Sequence, residues 1–293
     1  MKVAVTAASG RLGRATLKVL SSKLGPEHVV GIARSPKKIG VPQIETRRGD
    51  YNSIDEMTEA SVGIDSMVMI SAPVVIGTDR VPLHRNVIEA AKRVGVGKVV
   101  YTSVIGNGAE KDTWFWATQQ VNRQAEQDLH DSGLNWIVAR NGLYLELDMN
   151  HIIAANESGT YTNNGGTGRC GYITIDELAA ATAALATNNR LNGQIYNLTG
   201  ETRTQEELVA LANDVFDLNV TYQIMSDEDN VARFMEDPRI SARGEDVARM
   251  LTGCFQAMRA GALDVTSDFK VAAGRPCKST KEMMKDIRQK LET

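Results

Sequence analysis

The sequence predicts an α/β protein of Rossmann type, a doubly wound parallel sheet with a smaller, mainly helical C-terminal lobe. Three observations predict it. Short apolar runs alternate with helical patterns through the first half of the chain. A glycine-bearing turn directly follows the first run and opens the first helix. From Thr204 onward helical spacing dominates, as in EELVALANDVF and VARMLTGCFQAMRAG.

Taken in order, Val3 to Thr6 reads as a buried strand, and Leu12, Thr16, Val19 and Leu20 recur at helical spacing. Val29 to Ala33 is the second strand, Ile44 to Arg47 a weaker third, and Ser66 to Ser71 the fourth. Val87, Ile88, Ala91 and Val94 share a helix face, with Gly95 as a stop signal. Lys98 to Ser103 is the fifth strand, Phe115 to Ser132 a long helix, and Asn135 to Ala139 the sixth strand. Gly159 to Gly171 is rich in Gly, Asn and Thr and reads as a loop or hairpin too polar for the core. Asp176 to Ala186 is a helix, with an acidic residue placed to cap it. Gln194 to Leu198 is a late strand, and Ser279 with Glu282 forms a capping-box pattern before the last helix.

With 293 residues the chain is long for a single compact core and short for two independent ones. We divide it into a dinucleotide-binding core over 1–150, with later returns around 171–199, and a mainly substrate-binding lobe over 151–293. The composition is that of a globular protein, 42% hydrophobic and 24% charged. A net charge of -3 without a basic block excludes an electrostatic grip on nucleic acid. Cys170, Cys254 and Cys277 are odd in number and lack metal-ligand spacing, so reduced thiols and no metal are expected. The opening MKVAVTAASG has too short an apolar run for a secretory signal, and no run reaches membrane-spanning length. A soluble cytoplasmic protein is expected, acting on a small molecule as a monomer or homodimer.

The sharpest motif is TAASGRLGRA, Thr6 to Ala15. Gly10 and Gly13 hold the second and third positions of a G-x-x-G-x-x-G spacing, and Ala7 replaces the first glycine. Backbone N–H groups at a helix N-terminus attract an anion, and a missing side chain at Gly10 lets a pyrophosphate approach. Gly13 permits tight helix–strand packing. Ala7 suits the loop only if its φ angle need not be positive. Thr6, Ala8, Ser9, Gly10, Arg11 and Leu12 are therefore candidate cofactor contacts.

The second strand ends Gly31-Ile32-Ala33-Arg34, followed by Lys37 and Lys38. NAD-preferring sites usually carry an acid there for the ribose hydroxyls; here a guanidinium stands where a 2′-phosphate would lie. NADPH is expected over NADH. Asp50 is placed either at an adenine edge or as a turn cap.

The motif order resembles the NmrA-like atypical short-chain dehydrogenases, in particular the bacterial NADPH:quinone oxidoreductases and triphenylmethane reductases. The matching pieces are TAASGRLG, Arg34-Ser35-Pro36, Asp50-Tyr51, HRNVIEAAKRVGV (His84 to Val96), KVVYTS, DSGLNWIVARNGLY (Asp131 to Tyr144) and DELAAATAAL. They span about the first two-thirds of the chain. The resemblance implies NADPH across the carboxyl edge of the sheet, with Ser71, Ala72, Thr102, Ser103 and Asn141 near it. Arg140, Asn141, Gly142 and Tyr144 would face the nicotinamide. It also implies hydride transfer to a quinone or similar conjugated acceptor. The alternatives are a non-catalytic NADP(H) sensor and a reductase or oxygenase-like enzyme for polyphenolic aromatics.

One departure bears on the chemistry. The Tyr-x-x-x-Lys pair of the main short-chain dehydrogenase group corresponds to Thr118 and Asn122, so the usual proton donor is missing. Thr118, Asn122 and Tyr144 are left with positioning roles. Trp114, Phe115 and Trp116 read as a helix-start core cluster or as a platform for a planar acceptor. His84 reads as a capping or surface residue, His151 as a weaker acid/base candidate. Ser103 is a candidate donor to a carbonyl oxygen, and Gln119 and Gln120 are candidate ligand-orienting amides.

Overall fold

The computed structural model describes residues 1–74 and 79–292. Alternation of strands and helices builds the first half: β1 (Val3–Val5), α1 (Arg11–Leu24), β2 (Val29–Ala33), β3 (Glu45–Arg48), α2 (Ile54–Ala60), β4 (Ser66–Ile70), α3 (Arg80–Arg93), β5 (Lys98–Val104), α4 (Trp116–His130) and β6 (Asn135–Asn141). There follow β7 (Leu143–Tyr144), α5 (Leu145–Ala154), β8 (Thr160–Asn163), β9 (Cys170–Ile173), α6 (Ile175–Thr187), β10 (Gln194–Leu198), β11 (Thr202–Arg203), α7 (Gln205–Phe216) and β12 (Thr221–Ile224). The chain ends in helices: α8 (Asp227–Glu236), α9 (Pro238–Ser241), α10 (Glu245–Arg259), α11 (Phe269–Ala273) and α12 (Thr280–Leu291).

The main sheet has seven strands in the order β10-β6-β5-β4-β1-β2-β3, every neighbouring pair parallel. Its central strands are buried on both faces, which is why they read as continuous apolar runs rather than alternating ones. Ala4, Val30, Ile32, Met67, Met69, Val99 and Tyr101 pack with α2, α3 and α4. Val3, Val5, Val29, Val68, Val100, Ile137 and Ala139 belong to the cluster that includes α1 and α6. Strand order reverses between β1 and β4, so the β1–α1 loop opens onto the switch point where such sheets bind ligands.

The segment Gly159 to Gly171 corrects the sequence reading. It is not a surface loop: β8 pairs in parallel with β12, and Tyr161, Asn163, Asn164, Gly165 and Gly166 are buried. Its polarity is compatible with burial because the amides bond one another and their neighbours. The α6 cap is corrected as well. Thr174, not Asp176, caps the helix by accepting the Glu177 N–H. The capping box of Ser279 and Glu282 opens α12, and a second, Thr204 with Glu207, opens α7. Among the described residues no helix is long and apolar enough to cross a membrane.

Candidate active site at the switch point

α1 begins at the glycine loop without a side-chain cap and without an acidic residue in its first turn. It shares this with α4 and α11, whereas Ser53, Asp79, Thr174, Thr204, Ser226, Asp237 and Ser279 each cap their own helices. The first-turn N–H groups of α1 are left for an anion, and Gly10 in front of them is exposed. A Cβ at Gly13 would lie 2.8 Å from both Ala7 O and Ala8 Cα, so only glycine lets helix and loop meet. Ala7 takes a positive φ of 47°. The position does favour glycine, and alanine there costs ~1 kcal/mol. The turn is closed by Gly10 N–H to Ala7 O at 3.0 Å and braced by Arg14 Nη2 to Ser9 O at 2.5 Å.

Two of the loop candidates are engaged inward. Ala8 is fully buried and its N–H donates to Ile32 O at 3.1 Å. Thr6 is also fully buried; its Oγ1 accepts the Ile70 N–H at 3.1 Å and shares a short hydrogen bond with the Tyr51 hydroxyl. Tyr51 Oη in turn donates to Ile70 O at 2.7 Å. Thr6 and Tyr51 thus lock β1 to β4 beneath the loop. Ser9, Gly10 and Arg11 remain on its accessible side, with Leu12 buried behind them.

At the end of β2, Arg34 is exposed, and its guanidinium has no carboxylate partner among the described residues. Neighbouring Arg47 and Arg48 are paired with Glu45 and Glu56. Asp50 acts as a turn cap: Oδ1 accepts the Asn52 N–H and Nδ2, each at 3.0 Å.

The carboxyl ends of β4, β5 and β6 form the second half of the site. Ile70 lies beside Thr102, and Val104 beside Asn141, which brings the predicted residues of three strands to one edge. Thr102 Oγ1 accepts the Ser71 N–H at 3.2 Å. Asn141 is buried with Oδ1 unpartnered. Burial pushes the Tyr144 phenol up, against the pull of the Asn141 side chain, so it stays protonated and able to donate. Asn122 is buried, with Oδ1 accepting the Tyr101 hydroxyl at 3.4 Å; Thr118 is half-buried one turn earlier.

Ser103 departs from its expected role. Its hydroxyl donates to Glu126 Oε1 at 2.6 Å, within a cluster that no sequence motif marked. Glu126 also takes Arg123 Nη1, and Arg140 through Nε at 3.0 Å and Nη2. Burial pushes the Glu126 carboxyl up, but Arg140, Arg123 and Ser103 together hold it below the usual range.

His84 is corrected too. It is fully buried, and its Nε2 accepts the Ala72 N–H at 2.9 Å. Burial first, and Arg80 second, lower its pKa to about 4, so the ring is neutral. Arg80, one turn before it and absent from the sequence reading, donates to Ala72 O at 3.0 Å and Thr118 O at 3.2 Å. A basic residue at a helix start, against the dipole, was the one available signal.

The aromatic cluster docks the C-terminal helices. Phe115 is buried against Gly253, where a Cβ would meet its backbone N at 2.4 Å. The Trp114 N–H donates to Gln256 Oε1 at 2.9 Å, with Arg249 over the Trp114 ring. Gln119 is buried and donates to Ile105 O at 2.9 Å, while Gln120 is exposed. The His151 ring stands edge-on to Phe234.

Residues 7–189 match a family model described as NAD(P)H-binding. The chain belongs to that NAD(P)H-binding family. It is 32% identical over 234 residues to Escherichia coli quinone oxidoreductase 2, covering 78% of this chain and 80% of that protein. A structure of the E. coli enzyme with NADPH superposes with a TM-score of 0.86 over 98% of this chain and 99% of that one, at 27% identity. An NmrA-like family oxidoreductase of Aspergillus flavus is 28% identical, covering 79% of this chain and 76% of that protein. Citrobacter sp. triphenylmethane reductase, solved with NADP(H), gives a TM-score of 0.86 at 26% identity, covering 98% of this chain and 99% of that one.

Proposed function

We propose that this protein is a cytoplasmic NADPH-dependent oxidoreductase that delivers hydride to a quinone or similar conjugated small molecule, as a monomer or homodimer. The observation that carries the reading is the pairing of an uncapped, acid-free α1 N-terminus with Arg34 at the end of β2. The first suits a pyrophosphate and the second a 2′-phosphate. Ser9, Gly10, Arg11 and Leu12 are assigned to the pyrophosphate, and Arg34 to the 2′-phosphate. Asp50 is assigned to the adenine side, and the Ser71–Ala72 and Thr102–Ser103 strand ends with Asn141 to the nicotinamide side. NADPH supplies the hydride when bound. The chain's own part is to orient, and to shield the reacting atoms from water. We also assign residues 151–293 mainly to the acceptor side of the cleft, and 1–150 with the returns over 171–199 to the dinucleotide.

The acceptor class follows from which groups are present. Thr118 and Asn122 offer no ionisable proton donor, and Tyr144 offers a positioned hydroxyl. A simple ketone needs a proton as its alkoxide forms. A quinone leaves a delocalised phenolate that needs less help. The names of the E. coli and Citrobacter relatives agree with such acceptors.

The test is NADPH oxidation against a panel of quinones, dyes, aromatic carbonyls and simple ketones. Quinones are expected to react and simple ketones to react at least ~100-fold more slowly. Thr118→Ala and Asn122→Ala are expected to raise KM more than they lower kcat. Tight NADPH binding with no turnover on any acceptor would replace this reading with that of an NADP(H) sensor.

A further inference from the structure

Arg80 is the one buried arginine among the described residues, 6% exposed. Its donors reach two neutral acceptors, Ala72 O and Thr118 O. Among the described residues no carboxylate pairs with it, and residues 75–78, Val-Ile-Gly-Thr, bring none. It stands at the first position of α3, where the helix dipole is already positive. Asp79 next to it is exposed and occupied in capping the Val81 N–H. Two carbonyl dipoles are poor recompense for burying a cation.

His84, one turn along the same helix, supplies an independent observation. Its Nε2 accepts from Ala72 N–H, which places the ring proton on Nδ1. Nδ1 is buried with no partner among the described residues. Both backbone polar groups of Ala72 are therefore held, N–H by His84 and C=O by Arg80. Beside it lie a spare positive charge and a spare N–H donor. Asp128, a carboxylate whose charge reaches His84, is paired with Arg85, and the arrangement sits at the β4 end assigned to the nicotinamide.

We propose that Arg80 is the electrostatic residue that stabilises the anion left on the acceptor, and so biases the site toward acceptors that become anions and against acceptors that are cations. The proposal rests on the hydride-transfer reading above. The hydride moves with its electron pair from the nicotinamide to the acceptor. NADPH is oxidised to NADP⁺, and a neutral quinone becomes the hydroquinone monoanion. One proton from water then completes the two-electron reduction. A cationic dye takes the same hydride and becomes neutral, so no anion forms for Arg80 to hold. Arg80 acts here through its charge, in place of the absent proton donor at Thr118 and Asn122.

The test compares wild type, Arg80→Gln and Arg80→Lys on benzoquinone and on a cationic triphenylmethane dye, with NADPH binding and thermal unfolding as controls for folding. Arg80→Gln is expected to lower kcat/KM for the quinone about 100-fold. For the dye it should leave kcat/KM within about threefold, or raise it. Arg80→Lys is expected to keep most of the quinone activity. Parallel loss on both acceptors would make Arg80 merely structural and overturn the proposal. A second measurement needs no turnover. In the NADP⁺ complex, wild type is expected to bind para-nitrophenolate about tenfold more tightly than the neutral phenol, a preference Arg80→Gln abolishes. No binding, or no preference in wild type, overturns the assignment. A wild type that reduces no acceptor yet shows the phenolate preference would sink the hydride-transfer reading and leave the anion site standing.

Discussion

The molecule holds two buried polar regions, one finished and one left open. In the C-terminal half Asn163 Nδ2 donates to Gln205 Oε1 at 2.9 Å, and its Oδ1 accepts from Gly165 N–H and Tyr222 Oη. Asn164 bonds Asp227 at 2.7 Å and accepts from Asn230 Nδ2 at 2.7 Å, while Asn230 Oδ1 takes Arg233. At the sheet edge the opposite holds. Four of the nine buried side-chain polar atoms without partners among the described residues belong to His84, Gln119, Asn141 and Glu146, around the carboxyl ends of the strands. The α1 N-terminus is open as well. Satisfied polar groups hold a lobe together. Unsatisfied ones at a switch point are what the proposed dinucleotide site would use.

Substitutions on each side sharpen that contrast. Gly10→Val places a branched side chain before the α1 N–H groups. Dinucleotide affinity is expected to fall on the order of 100-fold, ~3 kcal/mol, with circular dichroism unchanged. The fold should survive, because a Cβ at Gly10 meets only Ala7 O at 3.3 Å. Unchanged NADPH affinity in a folded variant would reduce the loop to a simple turn.

His84 gives a pH signature. Its pKa falls from 6.5 to about 4 in the fold, through burial and then Arg80. The unfolded chain binds the extra proton in that window, so this contribution is fully present above 6.5 and is lost as pH falls toward 4, ~3 kcal/mol in total. Urea midpoints of wild type and His84→Asn across that range measure it. Parallel pH profiles for the two proteins would show that His84 is not the group responsible.

Asn230→Leu probes the finished region. It strands the buried Asn164 Oδ1 and the Thr252 hydroxyl, and is expected to cost about 2 kcal/mol of stability. NADPH affinity should stay the same. A loss of cofactor binding without a loss of stability would erase the distinction between the two regions.

How much of this was legible in the sequence depended on whether the signal was local. β2 and β10 were read to the residue, because apolar runs bounded by turn residues carry their own limits. The glycine loop was legible because backbone geometry dictates residue type at Gly10 and Gly13. The Asn163–Asn164 region is misread because composition cannot show that amides 42 and 66 residues away, and a backbone carbonyl 88 away, will pair with them. His84 and Arg80 were hidden for a similar reason. Their partner is the Ala72 backbone, and a backbone acceptor leaves no trace in residue identity. Ala7 showed the opposite limit: the sequence posed the question of φ, and only coordinates answer it.

An open anion site tuned to a 2′-phosphate is tested most directly by titrating NADPH and NADH against wild type and Arg34→Asp by fluorescence. Wild type is expected to bind NADPH at least about tenfold more tightly than NADH, and Arg34→Asp to lose roughly 10- to 100-fold in NADPH affinity while NADH binding holds. Equal or tighter NADH binding by the wild type would contradict it.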